Sequence, residues 1–482
     1  MIVKDRELLN EDGSIPIQLL VKCIENNETM KIRYERLEEY YKGKHDILNR
    51  TLSNEDLPNN KLVCNHAEYI TDMAIGYVFG NPVNYEGEGS DKLEDVFTQI
   101  DEDSHNNELA LDLSIYGIGY ELLFMSNDET PYPELAVINP KNAFVVCDST
   151  VKNTPMFAVS YYPKLDINDT LKGYDVNVYT DKEIIHYFFT NLGSTSPDEI
   201  DREEHYFGGI PIIEYKNNKS FKGDFEGVIT LINAYNVLQS DRVNDKEQLV
   251  DAFLAVSGMS MGDNEGEQIN TIKELRKLKV LELDEGGKAE WLVKQLTEDQ
   301  VEVLKKSLKD DIHEFSLVPC LTDENFVGNA SGVAMKYKLL GLEQLAKTKE
   351  RYFKQGLRKR IKMIFNVMRI QAKEVNVAQI DIIMKRNLPV DEELNARISQ
   401  ETSGLLSQET RIKRYDSEID VDEEMNRINK EKDQSMEREQ KAFGSYDLKN
   451  GDDKDVDNTD DNINSDKFNK DDLNRRQAGK NW

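Results

Sequence analysis

An α+β fold is what this 482-residue sequence predicts, and three observations carry the prediction. Helical periodicity runs through the N-terminal stretch as far as Ile115. From Tyr120 to about Tyr215 the pattern changes to short β-rich runs separated by Asp, Asn, Gly and Pro turns. After about Val228 it turns helical again, so a mainly β region is laid on helices.

Residues 15 to 41 read as an amphipathic helix, with Ile17, Leu20, Val21, Ile24, Met30, Tyr34 and Leu37 near helical spacing and a stop at Gly43. The basic loop of YYKGKHDILNR follows. A second helix is expected over Ala67–Phe79, ended by a Gly-Asn-Pro breaker, and a third over Glu108–Ile115. The runs YELLF, AVINP, AFVVC, FAVSYY, DVNVYT and EIIHYFF are the expected strands. After the linker KNNKSFKGDFEG a helix should run from Val228 to Leu254. Val228, Leu231, Ile232, Tyr235 and Leu238 form its stripe, and Ser240 to Gln248 is almost wholly polar. In KVLELDEGGKAEWLVKQ two alternating runs flank Gly286-Gly287, the pattern of a β-hairpin. Thr297 and Gln300 form a capping box that opens a helix to about Phe315, which puts the hairpin at the far end of a helical pair.

The loop VPCLTDENFVGNASG leads into a long helical pattern from Val333, with Phe353, Leu357, Ile361, Ile364 and Met368 on one face. At 1.5 Å per residue that helix would be roughly 60 Å long, enough to brace something large. A strand in AQIDIIMKR, then Pro389 and an acidic helical stretch to about Ala442, come next. The remaining Asp/Asn/Lys-rich tail has scarcely any apolar residues with which to offset its ordering entropy.

Composition narrows the chemistry. Ninety-one acidic against sixty-one basic residues give a net charge of −30. That argues against tight non-specific DNA binding, which needs cations to displace counterions from phosphates. Contact with DNA that must not stick is still compatible with it. Cys23, Cys64, Cys147 and Cys320 form no CxxC pair, so neither a zinc ribbon nor a disulfide framework is suggested. The N-terminus lacks a signal-peptide pattern and no segment has the apolar length of a membrane span, so a cytoplasmic protein is the default expectation.

The motifs of catalysis are missing from the sequence: it has no phosphate-binding GxxxxGK[ST] loop and no HExxH. The six histidines read as surface or hydrogen-bonded residues, and no cofactor or metal is expected. The carboxylate pairs Asp310-Asp311, Asp323-Glu324 and Asp452-Asp453 could serve a two-metal nuclease, but so acidic a chain produces such pairs by composition. The run RKRIKM, Arg358 to Met363, reads as an exposed helix face whose cations could meet a neighbouring subunit.

Taken in order, YYKGKHDILNR, NNKLVCNHAEYITDMAIGYVFGNPVNY, SIYGIGYELLF, GDFEGVITLINAYNVLQSDRVNDKEQLVDAFL, DENFVGNASGVAMKYKLLGLE and RNLPVDEELNARISQETSGLLSQET resemble the signature blocks of the SPP1-like family of tailed-bacteriophage portal proteins. The resemblance covers about residues 15 to 430. It implies the portal fold: a wing at 1–225, stem helices at 226–255 and 297–317, and a clip between them at 256–296. It further implies a tunnel loop at 318–332, a long wing helix with a returning strand at 333–389 and a helical crown at 390–445, leaving 446–482 as an acidic disordered tail.

The resemblance also implies a non-enzymatic role. A dodecameric ring at one capsid vertex would conduct double-stranded DNA during packaging and ejection, without sequence specificity and without a membrane. Partners would be terminase, a head–tail adaptor, and the scaffold and major capsid proteins; the setting would be the virion, with assembly in the host cytoplasm. The DNA-facing loop would comprise Thr322, Asp323, Glu324, Asn325, Phe326, Val327, Gly328, Asn329, Ala330, Ser331 and Gly332. Docking at the clip would use Glu282, Asp284, Glu285, Lys288, Glu290 and Trp291. A metal-dependent DNA-processing enzyme and a non-portal helical scaffold are the alternatives. The first rests on loose carboxylates, and the second would need sustained heptads, which are not seen.

Overall fold

The computed structural model describes residues 2–54, 57–87, 89–250, 253–257, 288–292, 298–321, 332–370, 380–387, 392–415 and 421–447, with isolated residues at 264, 266, 268–270, 273 and 419. The chain divides into two compact units, Met1–Leu388 and Pro389–Trp482.

In the first unit, helix α1 (Ile17–Tyr41) stops where expected, with Gly43 at φ +76. Its N-terminal half buries Leu20, Val21, Cys23 and Ile24 against the inner face of a six-stranded sheet. That sheet has the order β1-β5-β6-β7-β8-β9, with β1 (Ile2–Lys4) parallel to β5 (Ala143–Asp148) and the other pairs antiparallel. The remaining strands are β6 (Pro155–Leu165), β7 (Leu171–Tyr179), β8 (Glu183–Phe189) and β9 (Asp198–Glu204). Alternation puts Phe157, Val159 and Tyr161 on the buried face of β6 and Val176 and Val178 on that of β7. The outer half of α1 packs with α2 (His66–Phe79) and α4 (Glu102–Tyr116) in a second, larger core. Met30, placed by its spacing on the apolar face, is exposed.

That larger core also takes in β3 (Ile118–Met125), β4 (Pro133–Ile138) and β10 (Ile212–Lys216), which form a sheet of order β10-β3-β4. Helix α3 (Ser90–Gln99) and strand β2 (Val83–Glu86) complete the N-terminal part. Several elements depart from the sequence reading. The third helix begins at Glu102, six residues ahead of Glu108, because its first turns bury polar residues that carry no apolar signal. β9 escapes notice because all seven residues of DEIDREE are exposed.

Helix α5 (Ile229–Val250) ends before Leu254. The β-prone FLAVS forms β11 (Phe253–Ser257), antiparallel to β12 (Lys288–Leu292). β12 is the expected second arm of the hairpin, while the first arm and its Gly286-Gly287 turn lie outside the described residues. Helix α6 (Glu298–Ser316) opens one residue after Thr297. The long helix is not continuous from Val333: α7 (Gly332–Lys338) and α8 (Leu340–Ile370) meet at Leu339. At 31 residues, α8 is about 46 Å long, shorter than the sequence pattern suggested. Strand β13 (Asp381–Met384) returns to pair with β2.

The second unit, by itself, consists of α9 (Glu392–Glu401), α10 (Gln408–Tyr415) and α11 (Val421–Asp447). The helix expected to finish near Ala442 runs to Asp447, and the polar tail beyond it is outside the described residues.

Candidate functional site

Helices α5 and α6 form an antiparallel pair. Tyr235, in the second turn of α5, and His313, in the last turn of α6, both meet the His66 ring at 4.9 and 5.5 Å. Further along, Arg242 pairs with Glu302 at 3.0 Å. The strand pair β11/β12 therefore lies in the chain between the far ends of the two helices, with α5 separating it from the His66 end by about 33 Å at 1.5 Å per residue.

A polar face fixes this pair to the rest of the unit. Asn233, Asn236, Ser240 and Asn244 recur at helical spacing on α5, and the last three are buried. Asn236 accepts from the Cys64 amide at 2.8 Å and donates to His45 Nδ1 at 2.8 Å. The Ser240 hydroxyl accepts from the Leu62 amide at 3.0 Å, and Asn244 accepts from the Asn60 amide at 2.7 Å. Asn233 donates to Asp46 at 2.9 Å and accepts from the Tyr40 hydroxyl at 2.9 Å. Residues 60–64 thus run along α5, with the alternate amides of Asn60, Leu62 and Cys64 bonded to its side chains. The sequence reading saw Ser240–Gln248 only as polar; the missed signal was that its Asn and Ser share one face. Burial lowers the His45 pKa, against the opposing effect of Nε2 donating to the Tyr40 carbonyl at 2.9 Å. Burial, with His313, Lys309 and His45 nearby, pushes His66 down to about 4.

The long helix α8 is tied in at several heights. Arg386, just after β13, donates to Glu343 at 3.1 Å and to Glu350 at 2.7 Å. Lys349, buried, pairs at 2.5 Å with Asp224, which also accepts from the Ser114 hydroxyl. Deeper still, the fully buried Arg360 pairs with Glu121 and, at 2.6 Å, with Glu102, and donates to Asn106 at 2.9 Å. Glu121 also receives the Tyr215 hydroxyl at 2.8 Å and bonds His105 at 2.8 Å. Burial alone would raise Glu121, but Arg360 and His105 outweigh it and hold the carboxyl at about 2. The reading of RKRIKM as an exposed face therefore needs one correction: Arg358, Lys359 and Lys362 are exposed, whereas Arg360 is the ionic centre of the core.

Of the sequence-derived loop residues, Thr322 to Ser331 lie outside the described residues, and Gly332 is the first residue of α7. Of the clip set, Glu282, Asp284 and Glu285 are also outside them. Lys288, Glu290 and Trp291 stand on β12 opposite Ser257, Ala255 and Leu254. The anchor ahead of the loop is described: the Tyr69 hydroxyl donates to the Pro319 carbonyl at 3.2 Å and accepts from the Leu321 amide at 2.9 Å. Among the described residues no three His, Cys, Asp or Glu side chains converge as a metal site, and no helix is long and apolar enough to cross a membrane.

The chain matches known proteins over most of its length. The model of the family described as phage portal protein, SPP1 Gp6-like, matches residues 20–438. The portal protein of Bacillus phage SPP1 is 24% identical over 468 residues, covering 91% of this chain and 90% of the relative. The portal protein of Clostridium phage phiCD119 is 23% identical over 409 residues, covering 80% and 89%. Among solved structures, a chain from the virion of a native gene transfer agent particle aligns at TM-score 0.40 and 13% identity, covering 72% of this chain and 86% of that one.

Proposed function

Because the chain belongs to the SPP1 Gp6-like family of phage portal proteins, we propose that it forms a closed ring at one vertex of a phage capsid and acts there as the conduit for double-stranded DNA. The family match over residues 20–438 carries this reading. In it, α5 and α6 are the stem and the β11/β12 region is the clip that receives terminase and, later, the head–tail adaptor. Residues 318–332 are the tunnel loop, α8 is the wing helix that braces it, and α9 to α11 form the crown. The role is structural and not catalytic, and the subunit number is twelve.

Two physical features support this assignment. One is a set of exposed apolar side chains at the end of α6, in α7 and at the start of α8: Phe315 is 67% exposed and Tyr337 74%, with Leu317, Leu321 and Leu340 exposed as well. Leu317 packs beside Gly341, which brings the end of α6 next to the start of α8. Apolar surface of this kind is ordinarily covered by a partner, here the next subunit. The other is charge, for a net of −30 spread over a ring repels the DNA backbone and lets it slide.

The test is a packaging reaction with purified rings, terminase and empty capsids of the same phage. DNA protected from nuclease only when the ring is present is the expected result. Protection independent of the ring would contradict the conduit role, and DNA cleavage by the purified chain alone would favour a metal-dependent enzyme.

A further inference from the structure

The wing carries a projecting finger at one end of β6 and a groove at the other. The finger is the β6–β7 hairpin tip, Leu165 to Leu171, which extends past the last β8 partner, since Phe189 lies opposite Tyr174. Ile167 at its apex is 99% exposed, and Leu165 and Leu171 beside it are exposed as well. The tip is rigid. Asp166 accepts from the Asn168 amide at 2.8 Å and the Thr170 amide at 2.9 Å, and the Asp166 and Asp169 amides close the turn. A preorganised apolar apex flanked by two carboxylates loses little entropy on docking.

The groove, of about 960 Å³, is walled by the loop after β1, the start of β6, β10 and α8. Met156, Ile210 and Met363 give it an apolar floor. Five cationic side chains line it against three carboxylates, an excess of positive charge in a chain of net −30. Lys152, Lys359 and Lys362 on its rim are exposed and form no ion pair among the described residues. Lys359 and Lys362 are two of the three exposed cations of the RKRIKM run.

Pro155 and Met156 line the groove, while Leu165 at the other end of the same strand begins the finger. Along a strand that separation is roughly 30 Å, so one rigid strand cannot bring its own finger into its own groove. Unlike surfaces held apart in this way make a head-to-tail contact, the kind that closes rings. We propose that the Ile167 finger of one subunit seats in the lysine-rimmed groove of the next copy of this chain, with Asp166 and Asp169 facing Lys359 and Lys362. This rests on the ring reading above and adds to it the residues by which neighbouring wings interlock.

Cysteines at Ile167 and Met363 test it in the full chain, I167C and M363C together, with each single variant and the parent as controls for the four native cysteines. Oxidation of assembled rings should give a ladder of covalent species beyond the dimer in the double variant alone. Charge exchange supplies a second readout: Asp169→Lys and Lys362→Glu should each raise the protomer concentration for half-assembly about tenfold, and the pair together should recover most of it. Intact rings by microscopy with no ladder and no rescue would overturn the contact and leave the ring standing. Monomers without rings at any concentration would overturn both.

Discussion

At the residue scale, Arg360 shows how one buried side chain ties the long helix α8 into the core. Its guanidinium is fully buried among Glu102, Glu121 and Asn106. Removing one member of such a group leaves a charge without compensation, so Arg360→Ala should lower stability by about 3 to 5 kcal/mol in urea unfolding. The pH dependence has a definite sign. Glu121 has a folded pKa of about 2 against 4.5 for an unperturbed glutamate. Its contribution is therefore present above about 4.5 and is lost as pH falls through that window towards 2. Unfolding followed against pH should show this loss in the parent and a flatter curve in Glu121→Gln. His66 acts in the next window up: held at about 4 from an ordinary 6.5, it favours the folded chain above 6.5 and costs stability as pH falls from 6.5 to 4. None of this ionic core was legible in the sequence. Arg360 looks like its neighbours in RKRIKM, and only the crossing of α4, β3 and α8 makes it a buried centre.

At the element scale, the antiparallel α5/α6 pair and its seat are the feature most open to test. Asn236→Ala would orphan the Cys64 amide and His45 Nδ1, at a cost of about 1 to 3 kcal/mol measured by denaturation. Elements with strong periodicity were legible: the apolar stripe of α1, the β-rich runs between Tyr120 and Tyr215 and the helix expected after Thr297 all reappear as helices and strands. β9 was not, because DEIDREE has no buried face, and the break at Leu339 was not, because LLGL continues the apolar pattern across it. The loop between α6 and α7 is an expectation from resemblance. If it lines the channel, Gly328→Pro, which fixes φ and removes a donor, should leave rings intact and sharply reduce nuclease-protected DNA. Unchanged packaging would make the segment only a connection between helices.

At the scale of the whole molecule, the α+β architecture and the portal family were both readable from the sequence, since six ordered blocks carry more information than any one of them. The positions of DNA and docking partners were not, because they depend on surfaces that one chain leaves open. The acidic tail should play no part in closure: a chain truncated after Ser445 is expected to form the same rings, counted by microscopy, because so polar a segment gains little by burial. On the proposed ring, the exposed apolar surface around Phe315 and Tyr337 is covered by the next copy of this chain. Native mass spectrometry of the purified full-length protein tests it most directly. A single dominant species near twelve times the 55.5 kDa protomer mass, reverting to monomer in Phe315→Asp with Tyr337→Asp, is the predicted result. Monomer alone at every protein concentration would contradict it.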